Sequence, residues 1–210
     1  MGLLIVTAVA AEAEAVLKGL APDSSIAVVP VGVGMAAAAA GTAKLLTLAD
    51  GRYRGVISAG IGGGIGVPLG ATVLAAHAIA GDLGADSAEG FIALDELGFG
   101  TTVYKADQKL LTSLREALPE AVVGDVLTMN TVTGTAARLA GLVERYPAAV
   151  AESMEGYGVA CAAAQAQVAF AELRTISNTV GPRDRDAWRI KDALEALTKA
   201  TQMLSTSLSS

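Results

Sequence analysis

The chain has one cysteine and one histidine among its 210 residues. Cys161 has no partner for an internal disulfide, and no Cys/His cluster exists that could hold zinc. A Ser-His-Asp or Cys-His mechanism would have His77 as its one candidate base. Both His77 and Cys161 stand among apolar or small residues, which suits core or edge positions better than catalysis. No repeated acidic spacing suggests a metal site built from carboxylates, so neither metal nor cofactor is expected. Basic side chains are outnumbered 15 to 21, leaving a net charge of -6. That balance argues against a nucleic-acid partner, because phosphate backbones demand a basic surface. Aromatic residues are scarce (three Phe, four Tyr, one Trp) beside 24 glycines, which implies tightly packed small side chains and several close-approach loops.

Long uninterrupted apolar runs are missing too. The longest, residues 26–49, is broken by Pro30, Gly32, Gly34, Gly41 and Lys44 and makes a poor membrane span. The apolar start lacks a positive leading segment, and Glu12 and Glu14 stand where a signal-peptide cleavage site would fall. The expectation is a cytoplasmic protein with no membrane partner. With 52% hydrophobic and 17% charged residues, the chain has the means to bury one substantial core, and a single domain over residues 1–210 is expected.

Short β-type runs alternate with longer alanine-rich helical ones. Strands are expected at residues 3–7, 26–31, 56–59, 72–80, 121–129 and 168–177, and helices at 14–20, 35–48, 107–118, 135–145, 155–165 and about 188–208. Strands without polar alternation are buried on both faces, so the reading is α/β, a three-layer α/β/α sandwich around a central mixed sheet. Residues 87–102 read as one long loop, of the kind that serves as a lid or partner contact.

Four segments carry candidate chemistry. Gly60-Ile61-Gly62-Gly63-Gly64-Ile65-Gly66 leaves a strand as a dinucleotide fingerprint would, but Val67-Pro68-Leu69-Gly70 cannot open the phosphate-binding helix. Exposed glycine backbone still lets a flat ligand lie against peptide groups, and plain tight turns explain such a cluster about as well. Glu12 follows the first strand at the head of a helix, where a surface glutamate is the bland alternative. In Ser153-Met154-Glu155-Gly156 a carboxylate enters an apolar helix, which is costly unless something polar binds it. A glutamate accepts two hydrogen bonds at once and so suits a vicinal diol, although a charge favoured by the helix dipole is equally at home there. Ser177-Asn178 leaves the last strand with a donor and an acceptor on one side chain, the pair that a purine edge requires, or else a turn former. The charged stretch 182–187, ending at the lone Trp188, reads as a solvated loop or as part of a site.

Together these segments resemble the nucleosidase branch of the purine nucleoside phosphorylase superfamily, over nearly the whole chain. The similarity is carried by the opening strand with Glu12, the Ile57–Gly63 glycine segment, Met154-Glu155 and Arg174-Thr175-Ile176-Ser177. It implies that Glu12 activates water, that Glu155, with Ser153 and Met154, holds the ribose, and that Gly62, Gly63, Val132, Thr133 and Ser177 border the base. Where that branch carries an aspartate, this chain has Asn178, which implies a 6-oxo leaving base, hypoxanthine. Thr128-Met129-Asn130-Thr131-Val132-Thr133-Gly134, with Ser177-Asn178, Arg183-Asp184 and Trp188, looks like the futalosine-hydrolysing members of the branch, which act in menaquinone biosynthesis. That resemblance implies an apolar slot and a cation for a carboxyphenyl tail, with Arg183 or Arg185 as the cation and Phe91 or Phe99 near the ring, supplied by a neighbouring subunit of a homodimer or larger homo-oligomer. Before Arg52 the cations are Lys18 and Lys44, and Ser58 stands where a phosphate arginine would precede the glycines; water is therefore the expected nucleophile. A methylthioadenosine/S-adenosylhomocysteine-type nucleosidase, an inosine phosphorylase and a non-catalytic nucleoside-binding protein are the competing readings.

Overall fold

A computed structural model of the chain describes residues 2–208; Met1 and residues 209–210, the ends of the expected domain, lie outside them. The first strand, β1 (Gly2–Thr7), sets the layering. Successive side chains of a strand point to opposite faces. Leu3 and Ile5 accordingly join one buried cluster with Val16, Leu114 and Leu197, while Leu4 and Val6 join another with Ala38, Val159 and Ala163. Helices α1 (Ala10–Gly19), α3 (Gln108–Ala117) and α6 (Ile190–Leu208) cover the first face, and α2 (Met35–Leu48) and α5 (Gly156–Gln165) the second. The remaining helix is α4 (Ala136–Arg145). No described helix is long and apolar enough to cross a membrane.

The sheet is mixed, as expected. Strand β3 (Tyr53–Gly64) lies parallel to β1 and to β10 (Ala169–Thr179), and β1 pairs in parallel with β2 (Ala27–Pro30). Strand β10 then runs antiparallel to β4 (Thr72–Ala80), which lies parallel to β8 (Val122–Thr128). Strand β8 is parallel to β9 (Ala149–Ser153), and β9 returns antiparallel to β3 at Gly63 and Gly64. The strands β3, β10, β4, β8 and β9 thus close a ring of pairings. On the edge of β3 that faces β1 the pairing changes hands: β1 is last registered at Val6–Ser58, and β9 joins at Glu152–Gly63. In that interval a cleft opens, as ligand sites do where neighbouring strands diverge.

Three expectations are corrected. The glycine run is no loop after residue 59, because β3 continues through Gly64, paired with β10 along its length and with β9 at Gly63 and Gly64. Residues 149–153 form a strand that the sequence reading passed over; five residues ending in Glu-Ser carry too weak a β signal by themselves. The 87–102 loop is shorter than expected, since β5 (Gly84–Ser87) and β6 (Gly90–Ala93) make a hairpin and β7 (Val103–Lys105) pairs with β4.

Small residues set the spacing of the helices. A Cβ on Gly158 would lie 2.2 Å from the Met35 carbonyl oxygen, so α5 meets the head of α2 through bare backbone. Gly158→Ala should destabilise the fold by about 2 kcal/mol through overpacking, a fall in Tm of roughly 4–8 °C. Gly141→Ala in α4, where a Cβ meets nothing within 4 Å, should leave Tm unchanged or slightly raised. Scanning calorimetry of the pair checks this.

Candidate active site

The cleft, about 250 Å³, is lined from four places in the sequence that β3 brings together. Ala8, Val9 and Glu12 come from the end of β1 and the head of α1. Gly62 and Gly63 form the floor. Val132 and Thr133 follow β8, and residues 152–155 end β9. Ser177 and Asn178 end β10 and run into a strap, residues 179–183, with Trp188 beyond it.

Glu12 is almost fully buried, and its carboxylate takes the place of a missing strand. Oε1 accepts from the Ile61 amide at 2.9 Å, within the interval where β3 has left β1 and not yet met β9. Oε2 accepts from Ala8 and Val9 at 2.9 and 3.2 Å; Val9 is the N-cap of α1, and its amide has no helical partner. The side chain is thus fixed by three backbone donors and still borders the cleft. A carboxylate has about four lone-pair directions, so one remains to accept from a water molecule.

Glu155 stands at the N-cap of α5, without capping that helix through its side chain. Its Oε1 instead accepts from the Gly34 amide at 3.1 Å, and its Oε2 lies 3.4 Å from Nη1 of Arg174. Arg174 is fully buried: Nε donates to Glu172 at 2.9 Å and Nη2 to Ser58 Oγ at 2.8 Å. Burial pushes the Arg174 guanidinium down, but Glu172, Glu155 and Glu12 outweigh it and hold the group as a cation. Burial also drives Glu172 above the ordinary carboxylate range, against the pull of Arg174 and Ser153. Glycine makes this packing possible, since a Cβ on Gly60 would sit 2.5 Å from Glu12 Oε1 and 2.8 Å from Arg174 Nη1.

At the other end, Asn178 Oδ1 accepts from Ser177 Oγ at 2.8 Å and Nδ2 donates to the Thr179 carbonyl at 3.2 Å. With two hydrogens on Nδ2, one stays available. Arg183 is the one cationic side chain among the described residues lining the cleft. It lies 5.9 Å from the centre of the Trp188 ring, and Arg185 lies 6.0 Å from the same ring outside the lining.

The residues singled out from the sequence therefore converge on one place, except Arg185 and two aromatics. Phe91 on β6 lies beneath Arg145, whose guanidinium is 4.3 Å from the ring centre, beside Asp82 and Met129 and away from the cleft of its own chain. Phe99 is largely exposed. Sequence reasoning missed Glu152, Glu172 and the ion-pairing role of Arg174. A carboxylate inside the apolar runs 149–152 and 169–173 was the available signal, because burial of such a group is costly without a partner. Trp188, read as belonging to a solvated loop or to a site, stands on the cleft wall.

Residues 8–209 match the model of the phosphorylase superfamily. The chain is 48% identical to the futalosine hydrolase of Streptomyces coelicolor, covering 100% of this chain and 97% of that protein. It is likewise 48% identical to the futalosine hydrolase of Acidothermus cellulolyticus, over 94% of this chain and 87% of the other. Among solved structures, a 5'-methylthioadenosine/S-adenosylhomocysteine nucleosidase from Colwellia psychrerythraea in complex with adenine superposes with a TM-score of 0.85, at 20% identity over 99% of this chain and 96% of that one. At that identity the likeness is one of fold.

Arg174→Met would leave Glu172 and Glu155 buried without their cation. We expect a loss of about 3–5 kcal/mol at neutral pH. Because Glu172 already titrates above its ordinary value, and loses a lowering influence in the variant, the deficit should be smallest in acid, where Glu172 is protonated in both states. It should grow as pH rises through the raised value. Urea unfolding of wild type and variant across pH measures the difference.

Proposed function

The chain belongs to the phosphorylase superfamily, and we propose that it hydrolyses the N-ribosidic bond of futalosine, releasing hypoxanthine and dehypoxanthine futalosine. The observation that carries this reading is the convergence of Glu12, Glu155 and Asn178 on one cleft floored by Gly62 and Gly63. Cleavage builds positive charge on the ribose and negative charge on the departing base. Glu12, held by three amides, takes a proton from the attacking water as the new C–O bond forms. Glu155 accepts from the ribose hydroxyls and, with its negative charge, favours the cationic ring. The oxygen of Asn178 is engaged by Ser177, which leaves its amide nitrogen to donate to the oxygen or N7 of a 6-oxo purine and so to stabilise the leaving base. Ser153 and Met154 border the sugar, Val132 and Thr133 the base.

Water rather than phosphate is the nucleophile. Arg174 is committed to Glu172, Ser58 and Glu155, so no uncommitted cation stands beside Ser58 to balance a phosphate dianion. Arg183 and Trp188 both line the cleft, which supports a carboxyphenyl tail laid along the ring with its carboxylate on the guanidinium. We further propose that residues 1–210 act as one domain, in the cytoplasm, as a homodimer or larger assembly in which Phe91 faces a neighbour's site.

Glu12→Gln should lower kcat on futalosine by about 100-fold or more while calorimetry still records substrate binding; unchanged turnover removes Glu12 from the chemistry. Arg183→Ala should raise KM for futalosine about tenfold, the scale of one charge-assisted hydrogen bond, and leave inosine cleavage as it was. An equal loss on both substrates would place Arg183 elsewhere.

A further inference from the structure

Glu152 is the feature of the cleft that this mechanism does not use. It lies at the end of β9, is 6% exposed, and lines the cleft between Thr133 and Ser153. Its Oε1 accepts from the Thr133 amide at 2.8 Å. Its Oε2 is buried and meets no donor in normal hydrogen-bond geometry, nor does Oγ1 of Thr133 meet a partner, although the Thr133 hydroxyl and amide together draw the Glu152 carboxyl downward against its burial. A buried carboxylate oxygen without a donor is expensive to maintain, and burial drives the Glu152 carboxyl above its ordinary range. An N–H donor arriving at Oε2 would relieve that penalty.

The register of the sheet says where such a donor would come from. Gly63 on β3 pairs with Glu152 on one side and with Asn178 on the other. Residues in register on adjacent strands present side chains to the same face, so Glu152 and Asn178 flank a position that has no side chain of its own. Val180 packs over Gly63, where a Cβ would lie 2.7 Å from its Cγ2, so a planar base in the cleft beside Gly63 and Val180 would meet the Asn178 amide at one edge and the Glu152 carboxylate at another. The capture of the Thr133 amide by Oε1 also matters: it removes a backbone donor from this end of the cleft and leaves an acceptor in its place.

We propose that Glu152 is a specificity-determining residue, its Oε2 accepting from the N1–H of a 6-oxo purine and rejecting a 6-amino purine, whose N1 is itself an acceptor. A 6-oxo purine in its lactam form carries that N1 hydrogen; a 6-amino purine presents a lone pair there, which would face the carboxylate unpaired. This rests on the assignment of the cleft to a purine base, and it identifies a second reading group beside Asn178. Glu152→Gln should invert the preference. The glutamine oxygen keeps the Thr133 bond, and its amide nitrogen turns a donor toward N1.

The test is titration calorimetry of hypoxanthine, 1-methylhypoxanthine and adenine into wild type and E152Q, beside kcat/KM for futalosine and its 6-amino analogue. Wild type should bind hypoxanthine about 10- to 100-fold more tightly than adenine or 1-methylhypoxanthine, the scale of a lost hydrogen bond to a charged group. E152Q should narrow or reverse the hypoxanthine-to-adenine ratio and the corresponding kcat/KM ratio. If E152Q keeps the wild-type ratios, or if wild type binds 1-methylhypoxanthine as well as hypoxanthine, the proposal is overturned. Should E152Q fail to unfold cooperatively, the wild-type comparison decides alone. A wild type that discriminates among the free bases through Glu152 but does not cleave futalosine would refute the assigned substrate and leave this inference standing.

Discussion

Much of the cleft depends on one buried cation. Arg174 stands on β10 in register with Gly60 of β3, and Glu172, two residues earlier on the same face, stands in register with Ser58. The guanidinium joins Glu172 and Ser58 in the sheet to Glu155 at the head of α5. Glu155 in turn holds the Gly34 amide at the head of α2. One side chain therefore ties β3 and β10 to two helix N-termini; Gly60 clears the space for it, and Gly156 for its partner Glu172. Breaking such a cluster leaves uncompensated buried charge, which is why it acts as a constraint on the whole arrangement.

The same cluster selects the chemistry. A cation engaged by two carboxylates and a hydroxyl leaves the sugar side of the cleft with acidic groups, Glu12 and Glu155, and without positive charge for an incoming phosphate. An environment of that sign favours an oxocarbenium-like ribose and a neutral nucleophile. The cation that is available, Arg183, sits on the strap beside Trp188, where the proposed reading gives it the anionic tail. Charge placement thus separates the reacting centre from the specificity end.

How much of this was legible in the sequence follows from which signals are local. The layers were readable because β1 lacks polar alternation and buries both of its faces; β10 is buried on both faces too, although Glu172 and Arg174 interrupt its apolar residues. Glu12, Glu155 and Asn178 were readable because each interrupts an apolar or small-residue segment at the end of an element. The pairing of β9 with β3 was not, since register across residues 63 and 152 is a long-range property that five residues of weak β signal do not announce. Glu152 and Glu172 were hidden for the same reason: a carboxylate in a strand reads as a solvent-facing residue until the strand on either side is known. Phe91 was named from the resemblance, for a ring near the tail in a neighbouring subunit; in its own chain the β5–β6 hairpin seats it under Arg145, while Trp188, left open between loop and site, lines the cleft.

The most direct test of the central claim is hypoxanthine release from futalosine by the purified wild-type protein, with and without inorganic phosphate, with inosine and methylthioadenosine as comparison substrates (adenine is followed for the last). Cleavage of futalosine at one rate in both buffers, with little turnover of the other two, is the outcome that supports a water nucleophile and a 6-oxo base read by this cleft. Dependence on phosphate, or preferential release of adenine from methylthioadenosine, would contradict it.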